Sequence, residues 1–260
     1  MSRVYAVVLC ACLIGCGSDR SPVGPSPLPA PATFTGSVTD TVTGAPVAGF
    51  TALVAGSRLT VSAPGYVTRE TRASAPSVDI IPEVGFDLEF YRQLARGAME
   101  GQMHGLKVLW QSPNIYLQTD GLSPSNVAAL EQAARAVVPA MTGGRFQVQV
   151  WETGQGRRQP LPGWIAVAIV NNDSEACGRG LAGGSVMLNI SAHCQFQGYA
   201  VYPGVLAHEI GHVLGFEHVD RPGSMMRSGY ESAQPTDLER RHASIAYHRP
   251  RGNNDIDVDP

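Results

Sequence analysis

Three histidines and a glutamate fall within eleven residues: His208, Glu209, His212 and His218. His208 and His212 are four apart, so on a helix they share a face, one turn above the other. Two imidazoles so placed can hold one metal ion at about 2.0–2.1 Å each. His218 lies six residues beyond His212, which a continuing helix would carry off that face. Gly215 resolves this, because a glycine can take positive φ, end the helix and turn the chain so that His218 reaches the same ion. Three nitrogens leave a fourth tetrahedral position for water, the arrangement of a catalytic rather than a structural zinc. Glu209 stands beside the ligands rather than among them, placed to take a proton from that water. The plainer alternative is a helix whose histidines line a polar face. Gly215 and His218 together argue against it.

Met226 follows eight residues after His218, inside Pro222-Gly223-Ser224-Met225-Met226. With it the chain resembles the metzincin metalloproteases, in which a turn carrying a methionine lies beneath the zinc site. The run His-Glu-Ile-Gly-His-Val-Leu-Gly-Phe-Glu-His is most similar to the matrixin branch. The resemblance covers roughly residues 106–250 and is most specific over 208–226. It implies a zinc endopeptidase that hydrolyses peptide bonds by a zinc-activated water, with Glu209 as general base. It also implies Met226, preferred to Met225, as the turn methionine. Tyr230 is the oxyanion candidate it suggests, but four residues after the methionine where some metzincins have two; a packing or surface tyrosine is the alternative. Substrate is expected to lie extended along an edge strand, and Ser185–Ile190 is the expected edge. One catalytic Zn2+ is carried over. The structural zinc and calciums of matrixins find no matching ligand runs. A Ca2+ role for the carboxylates of residues 251–260 stays open, beside the plainer reading of a solvated acidic tail. No cysteine-bearing segment is seen that could cap the zinc.

The chain has 260 residues and a net charge of −3, with no basic patch, so nucleic acid is not an expected partner. Arg3 followed by the apolar stretch Val4–Ile14 reads as a secretory signal, too short to span a bilayer. Leu13-Ile14-Gly15-Cys16 resembles the bacterial lipobox. That implies a lipoprotein signal peptide over 1–15, lipid on Cys16, and anchoring to a cell-envelope membrane, the outer one given Gly17. Lipid on one cysteine tethers a chain rather than making it span. A plain signal peptide is the alternative. Residues 16–33 form a Pro-rich tether. With Cys10 and Cys12 lost with the signal, Cys177 and Cys194 remain, an exported pair expected as a disulfide. Zinc ligation with His193 is the other reading.

The order of elements predicts an α+β protein: a metzincin-type catalytic domain with a twisted mixed sheet, active-site helix, Met-turn and C-terminal helix, preceded by a small β-sandwich. Residues 34–82 alternate short Thr- and Val-rich runs with turns, predicting strands at 34–38, 50–54, 58–62, 66–69 and 77–81. They are similar to the regulatory-like β-sandwich of carboxypeptidases. Residues 83–105 predict a helical connector and 106–250 the peptidase domain. There Asn114–Gln118 is a strand, and Ser123 and Pro124 open a helix. Phe146, Val148 and Val150 alternate as a half-buried strand, and Trp164–Val170 is a central strand buried on both faces. The zinc helix runs from about Val201 to Leu214. Thr236 and Glu239 make a capping box for the last helix, which ends near Tyr247. His104, His193, His242 and His248 are expected as packing or solvated histidines. Expected partners are a protein or peptide substrate and a membrane; oligomeric state is not legible. The competing reading is a surface binding protein or adhesin with a vestigial protease domain, against which the intact Glu209 argues.

Overall fold

A computed structural model describes residues 33–260 apart from Gln102, Trp110, Ala182, Tyr230, Glu231, Asp257 and Pro260. The expected signal peptide, Cys16, almost all of the tether, and Tyr230 therefore lie outside the described residues. Among the described residues no helix is long and apolar enough to cross a membrane.

The first elements form two small sheets. β1 (Ser37–Asp40) pairs in parallel with β5 (Ser77–Ile80), while β2 (Thr51–Ala55), β3 (Arg58–Ser62) and β4 (Arg69–Arg72) make an antiparallel meander. Alternation explains β3: Leu59 and Val61 are buried and the residues between them are not. They share one core with Val38, Val47, Val78 and Ile80. Two strands sit later than the sequence predicts. Phe34 leaves the expected first strand to pack edge-on against Phe50. The Tyr66–Val67 segment is held by loop bonds instead, Val67 N–H donating to Ile81 O at 2.8 Å.

The larger sheet has five strands in the order β7–β6–β8–β10–β9. β6 (Asn114–Gln118), β7 (Trp151–Gly154), β8 (Trp164–Val170) and β10 (Ser185–Asn189) run parallel, and β9 (Gly178–Leu181) runs antiparallel to β10. β8 lies at the centre, as its unbroken apolar run requires. Among the described residues four α-helices accompany the sheet: α1 (Leu88–Arg96), α2 (Pro124–Met141), α3 (Pro203–Val213) and α4 (Asp237–Tyr247). α2 opens as expected, Ser123 accepting from Asn126 N–H with Pro124 in the first turn. Leu130, Ala134, Val137 and Met141 form its buried stripe.

Three expectations are corrected here. Residues 146–150 are not a strand; they run extended onto β6, with Gln149 N–H on Pro113 O, and the ladder begins only at Trp151. Ser185–Ile190 is not the edge. β10 lies between β8 and β9, because Gly183 and Gly184, at φ 110° and 88°, fold a hairpin that sets β9 outside it. Gly-Arg-Gly-Leu has little strand propensity, so β9 is invisible to propensity reasoning. Finally, the tail is not a free solvated segment. Asn253 and Ile256 are buried, Leu106 N–H donates to Asn253 O at 3.0 Å, and Asp259 N–H reaches Glu70 O at 3.1 Å.

The connector joins the core around the larger sheet. Phe90, Tyr91 and Leu94 are buried in the same cluster as α2 and α3. Its helix is shorter than predicted because Gly97, left-handed at φ 68°, ends it. A buried charge cluster ties the small sheets to α4 and the tail: Asp79 takes bonds from Arg69, Arg249 and Thr41, and Arg69 also meets Asp259. Burial would raise the Asp79 pKa, but His248, Arg249, Arg69 and Thr41 hold it far below the usual carboxylate range.

Candidate active site and metal centre

α3 starts at Pro203, whose missing N–H costs nothing at a first helical position. Val205, Leu206, Ile210 and Val213 bury it on several sides, so His208 and His212 are held inside the molecule. The helix ends in a Schellman motif: Gly215 N–H donates to His212 O and Phe216 N–H to Gly211 O, both at 3.0 Å. Gly215 sits at φ 101°. A Cβ there would also come within 2.8 Å of the Lys107 carbonyl carbon. Glycine is thus required twice, by conformation and by close approach.

The turn brings His218 back. His208 Nε2 lies 3.0 Å from His212 Nε2 and 3.3 Å from His218 Nε2, and the three ligand atoms fall within 4.8 Å of one another. Zinc held tetrahedrally at about 2.0–2.1 Å separates its ligand nitrogens by about 3.3 Å, so the set fits that ion. The tautomers agree. His208 Nδ1 donates to Met225 O and His212 Nδ1 to Phe216 O, each at 2.8 Å, which leaves the Nε2 lone pairs facing one another. Burial, with His212 alongside, pushes the His208 imidazole down to about 3. Burial lowers His212 as well. The downward shifts favour the neutral imidazole, the form that binds metal.

Beneath α3 lie Ser224, Met225 and Met226, all fully buried. A Cβ on Gly211 would lie 2.3 Å from Met226 Sδ, so the glycine makes room for this methionine. Met225 contributes its carbonyl to His208 instead. Both methionines hang on Glu239, which accepts from Met226 N–H at 2.8 Å, Met225 N–H at 3.2 Å and the Ser224 hydroxyl. The same carboxylate completes the predicted capping box with Thr236. The sequence discloses only the cap; nothing in it says that the cap also carries the turn.

A sequence model of the matrixin family of peptidases matches residues 134–244, a span that holds the histidine triad. The matched span covers less than half of the chain and carries a histidine cluster of the kind that can hold zinc. Among solved structures, High choriolytic enzyme 1, a hatching enzyme zinc-protease from Oryzias latipes (Medaka fish), aligns at 22% identity and TM-score 0.26 over 42% of this chain and 50% of its own. Metalloproteinase-II from Bacteroides fragilis aligns at 14% identity and TM-score 0.33 over 77% and 80%. This chain thus spans half the length of the first. No curated protein matches it.

The site takes further residues from β9, a strand that the sequence does not disclose, and from the connector. β9 lies directly on α3. A Cβ on Gly178 would fall 2.4 Å from Glu209 Oε1, and one on Gly180 2.4 Å from Glu209 O. Gly180 N–H donates to Glu209 Oε2. The alternate glycines are the signal that could have revealed this strand. The connector frames the third histidine: Glu217 N–H donates to Leu94 O at 2.8 Å and Asp220 N–H to Gln93 Oε1 at 3.2 Å. Glu217 accepts from Lys107 Nζ at 2.8 Å and lies 3.1 Å from His104 Nε2, so His104 belongs to the site's surroundings. Burial opposes ionisation of Glu217, yet Lys107, His212 and His104 keep its pKa below the usual value.

The cleft at the triad is about 450 Å³, bounded by the three histidines, Glu209, the β9 glycines, Glu100, Ser228 and Gly229. Cys177 and Cys194 form the expected disulfide, with Cα atoms 5.2 Å apart. Both thiols are therefore occupied, and the alternative of zinc ligation with His193 is not met; His193 lies 2.9 Å from Ser174 O and 3.2 Å from Ser191 Oγ. His242 packs, stacked on Phe86 with centroids 5.4 Å apart.

Proposed function

We propose that this chain is an exported endopeptidase, anchored by lipid on Cys16 and acting on extended protein or peptide segments with one zinc ion on His208, His212 and His218. The observation that carries the reading is the convergence of three Nε2 lone pairs within 4.8 Å. When bound, zinc acidifies water and polarises a carbonyl. Glu209 takes up the proton on its carboxylate and returns it to the departing amine. The Gly180 N–H bond orients that carboxylate, and the outer edge of β9 offers main-chain groups to an extended peptide. Met226 serves as the turn methionine. The Cys177–Cys194 disulfide brackets β9 and β10 and keeps the edge in place. The small β-sheets at 37–80 act as the sandwich module between tether and enzyme.

Two measurements test this. The purified protein is expected to hold about one zinc per chain and to cleave peptides until a chelator is added; a protein without zinc, or with zinc and no cleavage of a broad peptide library, contradicts it. The second outcome is that of a binding protein with a decayed protease region. Cys16→Ser is expected to abolish lipid labelling and release the protein from the membrane fraction. Unchanged membrane attachment contradicts the anchor.

A further inference from the structure

Two of the three histidines have clear partners for their second ring nitrogen. His208 and His212 donate to backbone carbonyls at 2.8 Å. His218 is different. Its Nδ1 faces Glu100 Oε1 at 3.5 Å. Glu100 ends the short 3-10 turn Ala98–Glu100, which is flanked by Gly97 and Gly101, both left-handed. It lies upstream of the span matched by the matrixin model, and its side chain lines the cleft.

We infer that Glu100 is the positioning residue of the third metal ligand, accepting the Nδ1–H of His218 so that Nε2 points at the ion. This rests on the zinc-site reading above. A metal-binding imidazole that uses Nε2 must carry its proton on Nδ1, and that proton needs an acceptor. A carboxylate also makes the ring a stronger donor than a carbonyl does. His218 has most need of such help. It sits on a loop rather than on α3, and its side chain is 36% exposed, so burial orients it less than it does His208. The connector supplies what burial does not: Leu94 and Gln93 hold the backbone around His218, and Glu100 holds the ring. The segment before the matched region is then part of the metal centre.

The test is zinc affinity, measured by competition with a chromophoric chelator, for the parent, Glu100→Ala and Glu100→Gln. Loss of the acceptor is expected to weaken binding about 10–100-fold, the usual effect of removing an outer partner. Glu100→Gln keeps a carbonyl oxygen and is expected to recover most of that loss. The melting temperature of the zinc-free protein is expected to be the same for all three, since Glu100 is exposed and serves only the ligand. Equal zinc affinity for Glu100→Ala and parent overturns the inference while leaving the enzyme reading intact. Zinc-free melting temperatures that fall in parallel with affinity overturn it too, because the role would then be structural. A parent protein that binds no zinc overturns both readings.

Discussion

Glu209 and Glu239 are both buried carboxylates, 2% and 0% exposed, yet they are expected to fail in opposite ways when changed. Glu209→Gln keeps the three imidazoles and removes a proton acceptor. Zinc content is expected to stay at about one per chain while kcat drops by about 10²–10⁴-fold. Metal analysis beside steady-state kinetics checks this, and a variant as fast as the parent removes Glu209 from the role. Glu239→Ala touches no ligand. It strands the Met225 amide and the Ser224 hydroxyl in a fully buried place, and leaves the Met226 amide only Ser224 Oγ at 3.1 Å. Leaving such groups unpaired costs about 1–3 kcal/mol each, so denaturant unfolding is expected to show a loss of about 3 kcal/mol or more. Zinc affinity is expected to fall with it, since the Met225 carbonyl holds His208.

At the scale of elements, β9 is the strand on which the geometry of the cleft depends. Its glycines allow backbone-to-helix contact with α3. Gly180→Ala would place a methyl 2.4 Å from Glu209 O and 3.0 Å from His212 Cβ, so the strand must retreat. Overpacking of this kind costs about 1–3 kcal/mol, and the Gly180 N–H bond to Glu209 is lost as the strand moves. Peptidase activity is expected to fall further than stability. Arg179→Ala, exposed between the two glycines, is expected to leave stability within about 0.5 kcal/mol. Equal thermal shifts for the two variants would contradict close packing of β9 on α3. The disulfide acts on the same hairpin. Replacing Cys177 and Cys194 by serine opens a loop with a separation of 17 residues, and about 3 kcal/mol of stability is expected to go with it on the chain-entropy model.

For the molecule as a whole, the buried charge cluster links the small sheets to the end of α4. Asp79 on β5 faces Arg69 from β4 and Arg249 and His248 from the end of α4. Arg249 is 3% exposed. Asp79→Ala would leave that guanidinium buried without its carboxylate, expected to cost about 3–5 kcal/mol. The pH dependence has a definite sign. Asp79 has a folded pKa far below its unfolded value of 3.8, so its contribution is fully present above about pH 4–5 and is lost as pH falls toward the folded value. Acid unfolding of the parent is expected to be steeper in this range than that of Asp79→Asn. Identical acid profiles would remove Asp79 from that role.

The histidine spacing and Gly215 are enough by themselves to bring the three imidazoles together, because geometry on one helix and one turn is local and the sequence states it directly. The same holds for the caps at Ser123 and Thr236 and for the apolar run of β8. The edge strand, the second task of Glu239, the attachment of the connector to His218 and the docking of the tail were decided only by tertiary structure. Each depends on which backbone comes close to which. Gly178 and Gly180 read as loop residues until α3 lies against them, and Glu239 reads as an ordinary cap until Met225 and Met226 arrive beneath the helix. Distant close approaches of this kind leave no period in a sequence. Their trace is a residue type, usually glycine or a buried acid, whose purpose becomes readable only when its neighbour is known.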